Sequence, residues 1–377
     1  MASATLGRGD VPASLWALAI LAVLRSGAPG VVWSQTEARF ATEVVVGKHD
    51  SSLDADLFSD IRTISVAGDG TLFVADHLSS EIRSFSSDGE HLRTLGSRGS
   101  APGEFSHITS MVALSRTEVL VADKVFGRFT RLSSGDPLTA RMNRTQLETP
   151  KQVAHVPGKG YLFLTGPEPY NETDQDLFRE FDEDLNFVGS FGNADSLGIS
   201  SDLFTRTMQS ANAGSFDMAG PDTLFFAPFF SPERLHMFVR NPSGGWATPE
   251  LILGAERGEP FELVAPRTSP NSAVMFRSRF GDSAGVIHSQ SIGLHVADDG
   301  LVWSFSLLRI GESRRIVAEV FDPIAKVVAK TLVFPHEEFP DYAGIQAPIE
   351  ARGYHNGRFY LIDESEHPKV RVVRVVE

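Results

Sequence analysis

Residues 68–90 read GDGTLFVADHLSSEIRSFSSDGE, two short apolar strands set between turn signals. Asp69-Gly70 opens the first strand and Asp88-Gly89 closes the second. A glycine in such a pair supplies the positive φ that a tight hairpin requires. The core of the stretch, TLFVAD at Thr71–Asp76, has five relatives further on. They are EVLVAD (Glu118–Asp123), YLFLTG (Tyr161–Gly166), TLFFAP (Thr223–Pro228), LVWSFS (Leu301–Ser306) and RFYLID (Arg358–Asp363). Each follows a short apolar strand, such as TISVA, MVAL or LHVA. After each comes a third strand, and after the first five a fourth, with turn residues between.

The repeating unit is therefore four antiparallel strands. Its copies start at 71, 118, 161, 223, 301 and 358, at spacings of 47, 43, 62, 78 and 57 residues. Four-stranded units at such intervals specify an all-β fold, a six-bladed β-propeller. The sixth copy has only three strands before the chain ends. RFATEVVV, Arg39–Val46, precedes the first copy and has no other partner. The expectation is that it pairs with the C-terminal strand and closes the ring, covering two edges that would otherwise invite aggregation. The expected layout is a leader over 1–34 and one propeller domain over 35–377. Its blades fall near 61–95, 109–141, 151–191, 215–253, 291–334 and 349–377 plus 39–46, with a long insertion at 254–290.

DGTLFVAD followed by EIRSFSSDG resembles the NHL-repeat propellers, as does the linker GSRGSAPGEF at Gly96–Phe105. Repeats of that family often carry Arg five residues after the Asp. Arg128 fits after Asp123, whereas Glu81 holds the place after Asp76. The third and fourth copies replace the Asp with Gly166 and Pro228.

The N-terminus reads as a secretory leader. Arg8 precedes the apolar run LWALAILAVL (Leu15–Leu24), and small residues lead to a cut before Gln35. Ten apolar residues are too few for a membrane-spanning helix, and no later segment approaches that length. An uncleaved anchor is the alternative. The expected location is secreted or periplasmic. Cysteine is absent, which excludes disulfides, thiolate metal sites and a cysteine nucleophile. The net charge of −14 argues against nucleic acid and anionic lipid as partners.

In a propeller, the innermost strands all begin on one face, and the loops between second and third strands share it. The long segments Gly192–Ser215, Gly254–Ser291 and Pro335–Pro348 enter innermost strands, and Gly166–Asp176 joins a second strand to a third. Function concentrates on such loops. The residues expected at the channel mouth are Arg62, Thr109, Lys151, Ala213, Gln290 or Ser291, and Glu350. With Arg267, Arg277 and Arg279 of the insertion, the cations have the chemistry to hold a carboxylate, sulfate or phosphate. The plainer reading is that Arg62 and Lys151 pair with Glu350 in a wet channel.

The leading expectation is a binding module engaging a protein, peptide, glycan or small anionic ligand at this face. The alternative is a metal-dependent lyase or hydrolase. Resemblance to zinc lyases of the NHL type directs attention to His107, which falls just before the inner-strand position held by Thr109. Resemblance to lactonase-like propellers directs it to a calcium held by acids such as Glu350 and Asp76. No motif marks zinc or calcium. GDSAG (Gly281–Gly285) lacks the strand-to-helix setting of a nucleophile elbow, so no catalytic residue is assigned.

Overall fold

A computed structural model of the chain describes residues 35–47, 57–134, 139–144, 150–166, 175–198, 213–254, 262–264, 274–277, 284–287, 289–310, 313–335 and 349–377. Residues 1–34, where a leader is expected, and much of the long entering segments lie outside these residues.

Six antiparallel sheets of the expected kind are present. From the innermost strand outward, the first blade is Ile61–Val66, Leu72–Asp76, Glu81–Phe85 and His91–Leu95. The second is Ile108–Ser115, Glu118–Asp123, Arg128–Ser133 and Thr139–Arg144. The third is Gln152–Val156, Gly160–Leu164, Asp176–Phe181 and Phe187–Asn193, and the fourth Gly214–Met218, Thr223–Pro228, Arg234–Val239 and Glu250–Leu253. The fifth is Gln290–Val296, Val302–Ile310, Ser313–Asp322 and Val327–Phe334. The sixth is Ile349–His355, Arg358–Asp363 and Lys369–Val376, completed by Arg39–Val46. Each innermost strand lies beside that of the next blade, and the sixth lies beside the first, so the ring is closed.

The apolar alternation of each second strand explains the ring. Successive side chains of a strand point to opposite faces. In the first blade, Phe73 and Ala75 face the second blade, while Leu72 and Val74 face the sixth. Both faces are buried, so both sets are apolar. The outcome is six separate hydrophobic cores, one at each blade junction. Phenylalanine dominates them: Phe178 meets Phe216, Phe226 and Phe238 edge-on at 5.4–5.7 Å between the third and fourth blades.

Closure is double. Arg39–Val46 runs antiparallel to Lys369–Val376, from Arg39 opposite Val376 to Val46 opposite Val370. Just before it, Gln35–Glu37 adds a parallel fifth strand to the outer edge of the fifth blade, opposite Thr331–Val333. One continuous segment thus stitches two blades. Phe40 is the rivet: it stacks on Phe334 of the fifth blade at 4.1 Å and belongs to the core shared with the sixth. The parallel strand escapes sequence reading because Gln-Thr-Glu is polar and joins through its backbone.

The insertion is not wholly irregular. Glu262–Val264, Val274–Arg277 and Ala284–Ile287 form a three-stranded antiparallel sheet with the last strand in the middle.

Candidate functional site

The repeated aspartates are fixed by the fold. Asp76, Asp123 and Asp363 end their second strands and are at most 2% exposed. Asp123 accepts backbone N–H groups from Ser106 (2.8 Å), His107 (3.3 Å), Val125 (3.1 Å) and Phe126 (3.5 Å). Asp76 likewise accepts Ser59 N–H at 2.9 Å and Leu78 N–H at 3.1 Å. Each carboxylate ties the turn after its strand to the segment entering its own blade. Asp363 holds its turn through Ser365 N–H at 3.0 Å.

The repeat arginine works beside them. Arg128 donates to the carbonyls of Ser100 and Glu104 in the preceding linker. In the first blade the task falls to Arg83, two residues beyond Glu81, which donates to Leu57 O and pairs with Glu81 at 2.9 Å. Each carboxylate oxygen of Asp76 accepts one backbone N–H group, from Ser59 or Leu78. Among the described residues, no group of three or more His, Asp or Glu side chains is arranged to hold a metal.

The mouth formed by these turns and strand starts is of mixed charge. Arg62 and Thr109 both sit where a β-bulge interrupts pairing with the second strand. A bulge re-aims the residue it carries. Arg62 is exposed, while Thr109 is buried and its hydroxyl has no partner among the described residues. Glu350 takes Arg352, two residues on, at 2.6 Å. Gln290 is buried and its side-chain oxygen has no partner among the described residues. Lys151 is half-buried and faces the channel interior. Arg277 ends Val274–Arg277, an edge strand of the insertion's sheet, and Arg267 and Arg279 lie outside the described residues.

Sequence reasoning saw His107 alone, but the fold gives it a neighbour. The ring of His77, from the first blade's turn, meets that of His107 edge-on at 4.2 Å. Burial, then the charges of His77, Arg62 and Lys124, lower the His107 pKa. Burial and the nearby carboxylates Asp60 and Glu350 raise the pKa of Glu364, against the charge of Arg62. The pair was discoverable in principle, since His77 follows a strand-ending Asp and His107 precedes the next blade's inner strand.

Below the mouth, all six innermost strands or their first residues line a cavity of about 80 Å³. Its charged residues are Lys151 and Arg352, and Ser65, Ser110, Ser215 and His295 add polar groups. Around it runs a girdle of side chains that satisfy the neighbouring blade's inner edge. Ser65 Oγ accepts Ala113 N–H at 2.9 Å. Gln152 acts as a false strand, donating to Phe216 O at 2.6 Å and accepting Phe216 N–H at 3.1 Å. Asp217 accepts Val296 N–H at 2.9 Å, and His295 Nε2 bonds Ala351 O at 3.0 Å. An innermost strand has an unpaired edge, and buried backbone groups need partners, which explains the girdle.

Two titrating groups belong to this girdle. Burial lowers the His295 pKa to about 4, which fixes a neutral ring donating Nε2–H to Ala351. Burial raises that of Asp217 to about 6, although 36% of its side chain is still exposed to water, which screens the charge. His295 Nδ1 stands 3.9 Å from Asp217 Oδ2, too far for a direct hydrogen bond.

No family profile matches the chain, and no curated protein matches it. Solved structures do. A candidate exported protein of Bacteroides fragilis NCTC 9343 aligns with a TM-score of 0.56 at 11% identity, over 92% of this chain and 98% of that one. A DUF4221-family member from Bacteroides vulgatus ATCC 8482 gives 0.56 at 9% identity, over 91% and 100%. The WD40 repeats of RRP9 give 0.50 at 10% identity, over 89% and 100%. At such identities the likeness concerns the fold: the chain is a β-propeller.

Proposed function

We propose that this chain is an exported propeller module that captures a partner on the mouth of its ring. The observation that carries the reading is the division of labour around the channel. The repeat carboxylates and arginines are consumed in holding the turns, while Arg62 and Lys124 remain exposed above the inner strands. The long entering segments lead into the same strand starts. The cavity below, at about 80 Å³, is too small for a peptide or glycan chain, so a large partner engages the rim. Export is supported by the leader-like N-terminus and by a fold neighbour named as a candidate exported protein. Among the described residues no helix is long and apolar enough to cross a membrane. The Asp123–Arg128 spacing and its contacts to the entering linker support an NHL-type repeat in the second blade.

A photo-crosslinking residue placed at Arg62 or Lys124 tests the reading in the producing cell. The expected result is one discrete adduct that is absent when the probe replaces Ser243, in the hairpin at the opposite end of the fourth blade. Equal labelling from both ends, or none from the mouth, rejects it.

A further inference from the structure

We infer that the channel below the mouth is a binding site for one small oxyanion, a phosphate, sulfate or carboxylate, held by Lys151 and Arg352. This site lies inside the ring and stands independently of any partner on the rim.

Three observations carry it. First, the lining is one-signed. Among the described residues, Lys151 and Arg352 are its charged members and no carboxylate lines the cavity. Glu350 balances Arg352 from outside the lining, through Nε at 2.6 Å and Nη2 at 2.5 Å. Asp217 is likewise outside the lining and occupied by Val296 and Met218 N–H. A cleft with charge of one sign and low-dielectric walls concentrates the opposite ion. His295 adds no charge near neutrality, its pKa being lowered to about 4 by burial.

Second, the neutral lining includes unused hydrogen-bonding capacity. Ser110 is 1% exposed, lines the cavity, and its Oγ has no partner among the described residues. A buried hydroxyl without a partner costs stability. Thr63 and Ser215 add hydroxyls to the lining from the inner strands of the first and fourth blades. Hydroxyls beside a guanidinium and an ammonium make up a donor set suited to oxyanions.

Third, the size selects. A single water requires roughly 10–15 Å³ of such space. A cavity of about 80 Å³ therefore takes a small oxyanion with a few waters and excludes a sugar or a peptide. The sequence grouping of Arg62 with Lys151 gives way to Arg352 with Lys151, because Arg62 sits exposed at its bulge while Arg352 lines the wall.

The test is calorimetric titration of the full chain, in buffer low in chloride, with inorganic phosphate, sulfate and acetate in turn. At least one is expected to saturate a single site below ~10 mM. Lys151→Met should weaken it about tenfold or more, and Ser110→Ala about threefold. Lys326→Met removes the same charge from an exposed hairpin and should leave the affinity unchanged. Which anion binds best identifies the source, with phosphate and sulfate standing for tetrahedral ligands and acetate for carboxylates. The proposal is overturned if none saturates, or if Lys151→Met and Lys326→Met behave alike. Should Lys151→Met not fold, Ser110→Ala decides the matter alone, and an unchanged affinity overturns the proposal. Failure here leaves the rim crosslink unaffected, and the reverse also holds.

Discussion

Replacing Phe40 with alanine should destabilise the whole ring, not just its first strand. Phe40 is 7% exposed, stacks on Phe334 at 4.1 Å with 15° between planes, and lies 6.2 Å from Phe305. An aromatic side chain of this kind buries on the order of 150–200 Å². At about 25 cal/mol per Å², and after the methyl that alanine retains, the lost transfer energy is about 3 kcal/mol. The stacked pair adds about 1 kcal/mol, for a total of about 4, inside the range known for buried Phe→Ala. Against a stability of roughly 5–15 kcal/mol this is a large fraction. With a urea slope on the order of 3 kcal/mol/M, the unfolding midpoint should fall by about 1 M at unchanged slope. Hydrogen exchange should accelerate at Val372 and Val373, which pair with the closing strand. The control is Ile324→Ala in a hairpin of the fifth blade, where 93% exposure limits the change to about 0.5 kcal/mol. A Phe40→Ala midpoint within ~0.2 M of that control would show that the closing segment does not hold the ring, and the closure argument would be wrong.

Three further outcomes follow from the same geometry. Asp123→Ala removes the acceptor of four backbone N–H groups and should cost about 3 kcal/mol, read as a lowered unfolding midpoint; Asp123→Asn should recover part of it. Gly293→Ala should be at least as damaging as a typical overpacked core site, about 2–3 kcal/mol, since a methyl there would stand 2.2 Å from Ala351 O across the fifth and sixth inner strands. Stability should also fall as pH drops from about 6.5 to 4. His236 and His295, buried with folded pKa values near 4, stay neutral while the unfolded chain takes up protons, at a cost of up to roughly 3 kcal/mol each. Asp217, raised to about 6, works the other way: it takes up a proton in the fold more readily than in the unfolded chain and partly offsets the loss. Urea midpoints at pH 7, 5.5 and 4.5 check the sign; a rising midpoint on acidification would reject the assignment of neutral histidines.

What the sequence makes legible follows from what repeats. TLFVAD and its relatives mark six buried second strands because both of their faces need apolar side chains, and that pattern survives where the aspartate does not. RFATEVVV is legible as the closing strand because it is a strand without a partner. Gln35–Glu37 and the insertion's strands of three or four residues carry no such pattern, since backbone pairing over so short a length leaves little trace in side-chain choice. The site is harder to read. A bulge shifts the side-chain alternation by one residue, and alignment by strand start cannot see it. Arg62 is exposed at such a bulge, and Arg352, at a bulge two residues further along the sixth blade's inner strand, lines the wall. Glu350, expected near Arg62 and Lys151, satisfies Arg352 instead.

The seam between Arg39–Val46 and Lys369–Val376 sets an order of events. Arg39–Val46 is synthesised ahead of the first blade and its partner Lys369–Val376 after the other strands of the sixth, so the five earlier blades can fold beside an unfinished sixth until the two strands meet. A permuted gene that begins at the linker before the first blade and joins the old ends would move that wait elsewhere. Its gain or loss in refolding yield would measure how much of the protein's vulnerability lies in the interval before these two strands meet.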